Sequence, residues 1–253
     1  MRIFLKTEDE IILLRAASQL ATRALIEVGR HVVPRLALSH LRNKVVNAVM
    51  RTVPTESNSG KEALSSDTEF TFFVNGAYIE PSLEGECMLC EGDWLTVNCW
   101  VCLDGYYSFG AHTFIVGSSQ DDEPMISTLR DMLRQVVRRA SAGHSIKEMS
   151  RTVYSLHAHD PYVLQKTFGH GVGRNRVENP ILRMNPGVND TVLLKEGMCL
   201  VIALAFKHGR SHLIKPRLMH ESTFHNPFVP FGTTVVVLPG RPEILTSFET
   251  IVK

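Results

Sequence analysis

The sequence predicts a mixed α/β domain built from two related halves, each an antiparallel sheet covered by helices. Three observations predict it. Residues 92–117 hold two runs rich in β-branched and aromatic residues around Asp104-Gly105, a dipeptide suited to a type I′ hairpin because both its positions take positive φ. The segment Leu89-Cys-Glu91-Gly92-Asp-Trp-Leu95-Thr-Val97-Asn98 is echoed 105 positions later by Leu194-Lys-Glu196-Gly197-Met-Cys-Leu200-Val-Ile202-Ala203. Self-similarity at a fixed offset marks duplicated units. Finally, Thr7-Glu-Asp-Glu10 and Ser145-Ile-Lys-Glu148 are capping boxes, in which a hydroxyl and a carboxylate three residues apart satisfy each other's backbone amides and start a helix.

Taken in order, Thr7 opens a helix whose apolar positions include Ile11, Leu14, Leu25 and Val28, with Gly29 as its expected stop. Leu38, Leu41, Val45 and Val49 recur at helical spacing and predict a second helix over residues 37–51. Residues 54–68, with Glu56-Ser-Asn-Ser-Gly60 at their centre, have no apolar face and read as a surface loop or a lid. Residues 70–79 read as a strand interrupted at Asn75-Gly76, with Glu80 after it. Beyond the 92–117 hairpin, residues 125–141 predict a helix ended by Gly143, and the second capping box predicts another running toward Leu156. Asp160-Pro161 breaks the chain, residues 185–190 form a turn-rich connection, and residues 231–238 form the closing strand. The expected organisation is one domain over residues 1–253, with pseudo-repeats of about 1–118 and 119–253.

Composition excludes several classes of function. A net charge of +1 with 21% charged residues gives no electrostatic footprint for nucleic acid. No apolar run approaches the length that spans a bilayer, and residues 1–6 have no apolar signal core, so the expected location is the cytoplasm. Five cysteines, Cys87, Cys90, Cys99, Cys102 and Cys199, form an odd set that favours reduced thiols. Two C-x-x-C spacings imitate a zinc ribbon, but Cys99 and Cys102 fall three apart on a strand and face opposite sides. His208, His212, His220 and His225 enrich one basic segment without the i, i+4 spacing of a helical metal site.

The hairpin, the run Phe168-Gly169-His170-Gly171-Val172-Gly173 followed by Glu178-Asn-Pro180, the strand ending at Ala203 and the stretch from Thr234 to Thr246 together resemble the methionine aminopeptidase and creatinase family. The resemblance covers nearly the whole chain in the same motif order. It implies the duplicated "pita-bread" fold. In the metal-dependent members it also implies two divalent cations held by two Asp, one His and two Glu. Matched motif to motif, those positions here are Asn98, Phe109, His170, Ala203 and Gly232. Only the histidine is kept, and an amide, an aromatic ring, a methyl and a glycine cannot neutralise two divalent ions. The two further active-site histidines of the family fall near Glu80 and at Val177.

The resemblance therefore implies a scaffold without metal or other cofactor, with His170 as the candidate proton-transfer residue and Glu80 or Glu178 as auxiliary acid. Asn98, Trp100, Phe109, Val177, Ala203 and Gly232 are the candidate lining of a small-molecule pocket. Each has a plainer reading: His170 as a packing residue, the two glutamates as surface carboxylates, the aromatics as chamber filling. Two functions follow. One is a metal-independent small-molecule enzyme of lyase, cyclase or hydrolase type, as in specialised metabolism. The other is a non-catalytic relative that binds a partner. A homodimer is the expected assembly.

Overall fold

The computed structural model describes residues 2–53, 65–117, 124–157, 166–185, 192–204 and 229–247. The helices are α1 (Glu8–His31), α2 (Leu38–Thr52), α3 (Pro124–Val137) and α4 (Ile146–His157). The strands are β1 (Glu69–Val74), β2 (Ala77–Ile79), β3 (Trp94–Leu103), β4 (Tyr106–Ile115), β5 (Thr167–Gly171), β6 (Glu178–Arg183), β7 (Cys199–Ala203), β8 (Gly232–Val236) and β9 (Glu243–Ile244). They form one sheet in the order β2-β1-β3-β4-β8-β7-β5-β6, with β9 on β8, and every pairing is antiparallel. None of the described helices is long and apolar enough to cross a membrane.

Local chemistry sets the boundaries. Thr7 Oγ1 accepts from the Glu10 amide at 3.3 Å while Glu10 Oε2 accepts from the Thr7 amide at 3.0 Å. Ser145 and Glu148 repeat the box at α4, at 3.2 and 2.7 Å. α1 does not stop at Gly29, which is buried within the helix; it runs on to His31 and ends at the extended Val32, just ahead of the Val33-Pro34 step. A proline disfavours the helical conformation of the residue before it, and here that is the stronger signal. Nor is residues 70–79 a single interrupted strand. Asn75 (φ 51°) and Gly76 (φ 78°) make a tight turn between β1 and β2, in the same left-handed conformation as Asp104 (φ 48°) and Gly105 (φ 77°) between β3 and β4.

The two echoed segments are held by the same frame of main-chain hydrogen bonds. In the first half Leu89 N donates to Leu36 O, Leu38 N to Cys87 O, Gly92 N to Val116 O and Val116 N to Asp93 O. In the second, Leu194 N donates to His144 O, Ile146 N to Val192 O, Gly197 N to Val237 O and Val237 N to Met198 O. Gly92 and Gly197 both sit at positive φ, 79° and 82°, where a side chain is disfavoured.

Burial follows the same division. One core lies between α1, α2 and the helix-facing residues of β1, β3 and β4; a second lies between α3, α4 and β5–β8. A third cluster, with Phe109, Ala111, Val201 and Val236 buried and Trp100 and Ala203 packed against them, spans the seam where β4 meets β8.

Candidate functional site

The seam gathers the residues singled out from the resemblance. Antiparallel pairing places Thr71 beside Asn98, Asn98 beside Ala111, Ala111 beside Gly232 and Gly232 beside Ala203, one row across five strands. The next row carries Glu69 beside Trp100 and Trp100 beside Phe109, then, across the seam, Thr234 beside Val201 and Val201 beside His170. The crossing is held by Thr234 Oγ1, which accepts from Phe109 N at 2.8 Å and donates to Phe109 O at 2.9 Å. Asn98, Trp100, Phe109, His170, Ala203 and Gly232 thus share two adjacent rows around one chamber.

Phe109 decides the shape of that chamber. A Cβ added to Gly232 would stand 2.5 Å from Phe109 Cε1 and 3.2 Å from the Ala203 methyl, so the ring fills the space over the glycine. Phe109 also packs on Trp100, with ring centroids 4.8 Å apart, and Trp100 lies parallel to His170 at 6.1 Å and 8°. These residues do not fit the pair of divalent cations that the resemblance implies. Hard cations require several anionic oxygens, and the five positions supply one amide and one imidazole beside an aromatic ring. Among the described residues, no three His, Cys, Asp or Glu side chains come together as a metal site.

Two polar side chains matched from the resemblance, His170 and Asn98, stand in these rows. His170 Nδ1 lies 2.9 Å from the Gly171 carbonyl, an acceptor, so Nδ1 carries the hydrogen and Nε2 the lone pair when the ring is neutral. Burial lowers the imidazole pKa below its ordinary value, opposed by the Gly171 carbonyl, so the ring is neutral at physiological pH. Asn98 is buried within β3, and its Oδ1 has no hydrogen-bond partner among the described residues. A buried acceptor without a donor costs stability and calls for an explanation.

The other candidates stand apart from this pair. Glu178 begins β6, and its Oε2 lies 2.5 Å from Lys6 Nζ in an ion pair whose side chains are each 5% exposed, while Oε1 accepts from the Asn175 amide at 3.2 Å. Both its oxygens are therefore engaged by groups other than His170. Glu80 caps the short 3-10 turn Pro81–Leu83 after β2, and no hydrogen bond or ion pair among the described residues joins it to His170. Val177 is exposed. Cys99 and Cys199 are buried thiols, the latter pushed up to about 12 by desolvation, which makes it a poor nucleophile. The segment with His208, His212, His220 and His225 lies outside the described residues.

Several contributors are long-range and had no signature in the sequence. Arg176 lies over the rings of Trp100 (5.6 Å) and Tyr107 (5.7 Å) and donates through Nη1 to Glu69 at 2.9 Å and through Nη2 to the Asp67 carbonyl. Tyr107 donates its hydroxyl to Asp67 at 2.6 Å and its amide to the Gly173 carbonyl at 2.8 Å. A cavity of about 420 Å³ opens beside Glu69 and Thr71, the partners of Trp100 and Asn98, and reaches α2 at Val49 and Met50.

Known proteins share this architecture. The chain is 26% identical over 251 residues to the methionine aminopeptidase of Clostridium perfringens, covering 98% of this chain and 100% of that one. It is 28% identical over 258 residues to the methionine aminopeptidase of Helicobacter pylori strain 26695, covering 98% and 100%. Among solved structures it superposes on the methionine aminopeptidase of Thermotoga maritima with a TM-score of 0.77 at 21% identity, covering 97% and 100%, and on the prolidase of Pyrococcus furiosus with 0.72 at 19%, covering 97% and 66%. Both are pita-bread folds. The sequence pattern of metallopeptidase family M24 matches residues 12–237, spanning both halves and the whole chamber, and the chain belongs to that family.

Proposed function

We propose that this M24 scaffold acts on a small organic molecule without the pair of cations, with His170 as its proton-transfer group. The observation that carries the reading is a pair of hydrogen-bond acceptors in one chamber: Asn98 Oδ1, without a partner among the described residues, and the neutral His170, whose Nε2 carries the lone pair. A ligand with an O–H or N–H group would satisfy the amide, and Nε2 would take a proton from it and return it. Trp100 and Phe109 supply an apolar wall against which such a ligand is held. Lyase, cyclase and hydrolase steps all use a proton shuttle of this kind. In this reading Glu178 is a positioning residue, since Lys6 and Asn175 occupy its oxygens, and Glu80 is an auxiliary acid.

A second reading, a non-catalytic binding protein on the same scaffold, is favoured by the Phe109 ring over Gly232, because a chamber closed by its own side chains needs no ligand. Native mass spectrometry of freshly purified protein separates the two. An organic adduct on the wild-type protomer that is absent from His170→Ala supports the small-molecule reading and gives a mass for the ligand. A bare protomer, or one held only in a specific protein complex, supports the second, and two bound metal ions overturn both. The same spectrum tests the expected homodimer.

A further inference from the structure

Resting on the small-molecule reading, the inner end of the chamber offers acceptors, so it selects for a donor on the ligand. The outer end carries the opposite chemistry. Arg176 belongs to the second half, and the groups that hold it, Glu69, the Asp67 carbonyl and the faces of Trp100 and Tyr107, all belong to the first. A guanidinium has five N–H donors in a planar fork, and the described bonds use one at each Nη. Its acidic partner is weakly committed: the Glu69 side chain is 55% exposed and meets Arg176 through a single bond. Exposed ion pairs of that kind contribute little, so exchange for another anion is easy. Glu69 also lines the 420 Å³ cavity, and its neighbour two residues on, Thr71, pairs with Asn98. Cation, aromatic wall and amide are therefore neighbours: Arg176 lies over Trp100, Trp100 lies parallel to His170, and Asn98 is two residues before Trp100 on the same face of β3.

We infer that Arg176 is the anion receptor of this chamber and that the ligand is a small carboxylic acid. Its carboxylate replaces Glu69 on the guanidinium, its planar apolar body lies against Trp100, and an O–H or N–H at its far end reaches Asn98 Oδ1 and His170 Nε2. The bidentate match of guanidinium and carboxylate gives the acid its advantage over a neutral analogue.

The test uses matched probes, 4-hydroxybenzoate and 4-hydroxyphenylacetate against their primary amides, titrated into the full-length protein by calorimetry. Tryptophan fluorescence serves as a second readout, since Trp94 and Trp100 are the only two tryptophans. Wild type should bind an acid about tenfold more tightly than its amide, the scale of one charge-assisted bidentate contact. Arg176→Gln should weaken the acid far more than the amide, so that the ratio falls to about one, and Glu69→Gln, which removes the competing anion, should strengthen acid binding severalfold. Circular dichroism establishes that each variant is folded. An acid-to-amide ratio unchanged in both variants overturns the inference while leaving the chamber reading intact, provided His170→Ala weakens acid and amide alike. No saturable binding of any probe at millimolar concentration overturns the inference, and when the wild-type protomer is also bare in native mass spectrometry the chamber reading falls with it.

Discussion

Gly232 has no room to become anything larger while Phe109 keeps its rotamer. A Cβ 2.5 Å from a ring carbon forces the ring to move, and overpacking of this sort costs about 1–3 kcal/mol. Gly232→Ala should lower stability to chemical denaturation by that amount, and Phe109→Leu in the same chain should recover part of it. A double-mutant cycle that is additive would show that the two residues do not share the space. His170 gives a prediction in pH. Its pKa is lowered by burial relative to an ordinary value of ~6.5, so the unfolded chain takes up the proton more readily than the folded one. The stabilising contribution is therefore complete above the ordinary value and is lost as pH falls from there through the folded value. Urea midpoints of wild type should fall between neutral and mildly acidic pH more steeply than those of His170→Gln, and equal slopes would show that the ring is not desolvated. Ligand binding that uses Nε2 as acceptor should weaken over the same window.

At the scale of elements, the N-terminal segment is fastened to the second half by a bond that no helix or strand pattern announces. Lys6 and Glu178 are 172 positions apart and nearly excluded from water, and Lys6 N also donates to Gly197 O at 2.8 Å. Removing one partner of a buried pair leaves the other charge uncompensated, at a cost of about 3–5 kcal/mol. Lys6→Met should show that loss in denaturant midpoints, and Lys6→Met with Glu178→Gln should regain most of it, because glutamine is neutral and still accepts from Asn175 N. No recovery in the double variant would mean that the lysine stem, and not its charge, holds the segment. The sequence revealed what neighbours encode: two capping boxes, the Asp104-Gly105 turn, the α2 periodicity. Where two local signals competed it misled. Gly29 reads as a stop, yet the Val33-Pro34 step sets the end of α1, and Asn75-Gly76 reads as an interruption when it is a tight turn.

Across the whole molecule, the candidate chamber was legible only as far as motifs carry. His170 and Asn98 sit in runs that resemble the family, and strand pairing sets them in adjacent rows of the sheet. Arg176, Tyr107 and Thr234 were not legible, because each acts on a residue far along the chain: Arg176 on Glu69 at 107 positions, Tyr107 on Asp67 at 40 and Thr234 on Phe109 at 125. The chamber also predicts how the molecule responds to its solvent. If the chamber works without the pair of cations, as proposed, folding is not coupled to divalent ions, and the thermal midpoint should be the same in excess chelator and in millimolar magnesium, zinc or manganese. A chelator-induced drop would contradict this. The matched hydrogen bonds around Leu89 and Leu194 carry a further consequence. Both frames are made of main-chain atoms, apart from the two glycines their turns require, and so they do not register what the chamber side chains have become. Descent can rewrite the chemistry at the seam, residue by residue, while inheritance of the fold goes on undisturbed.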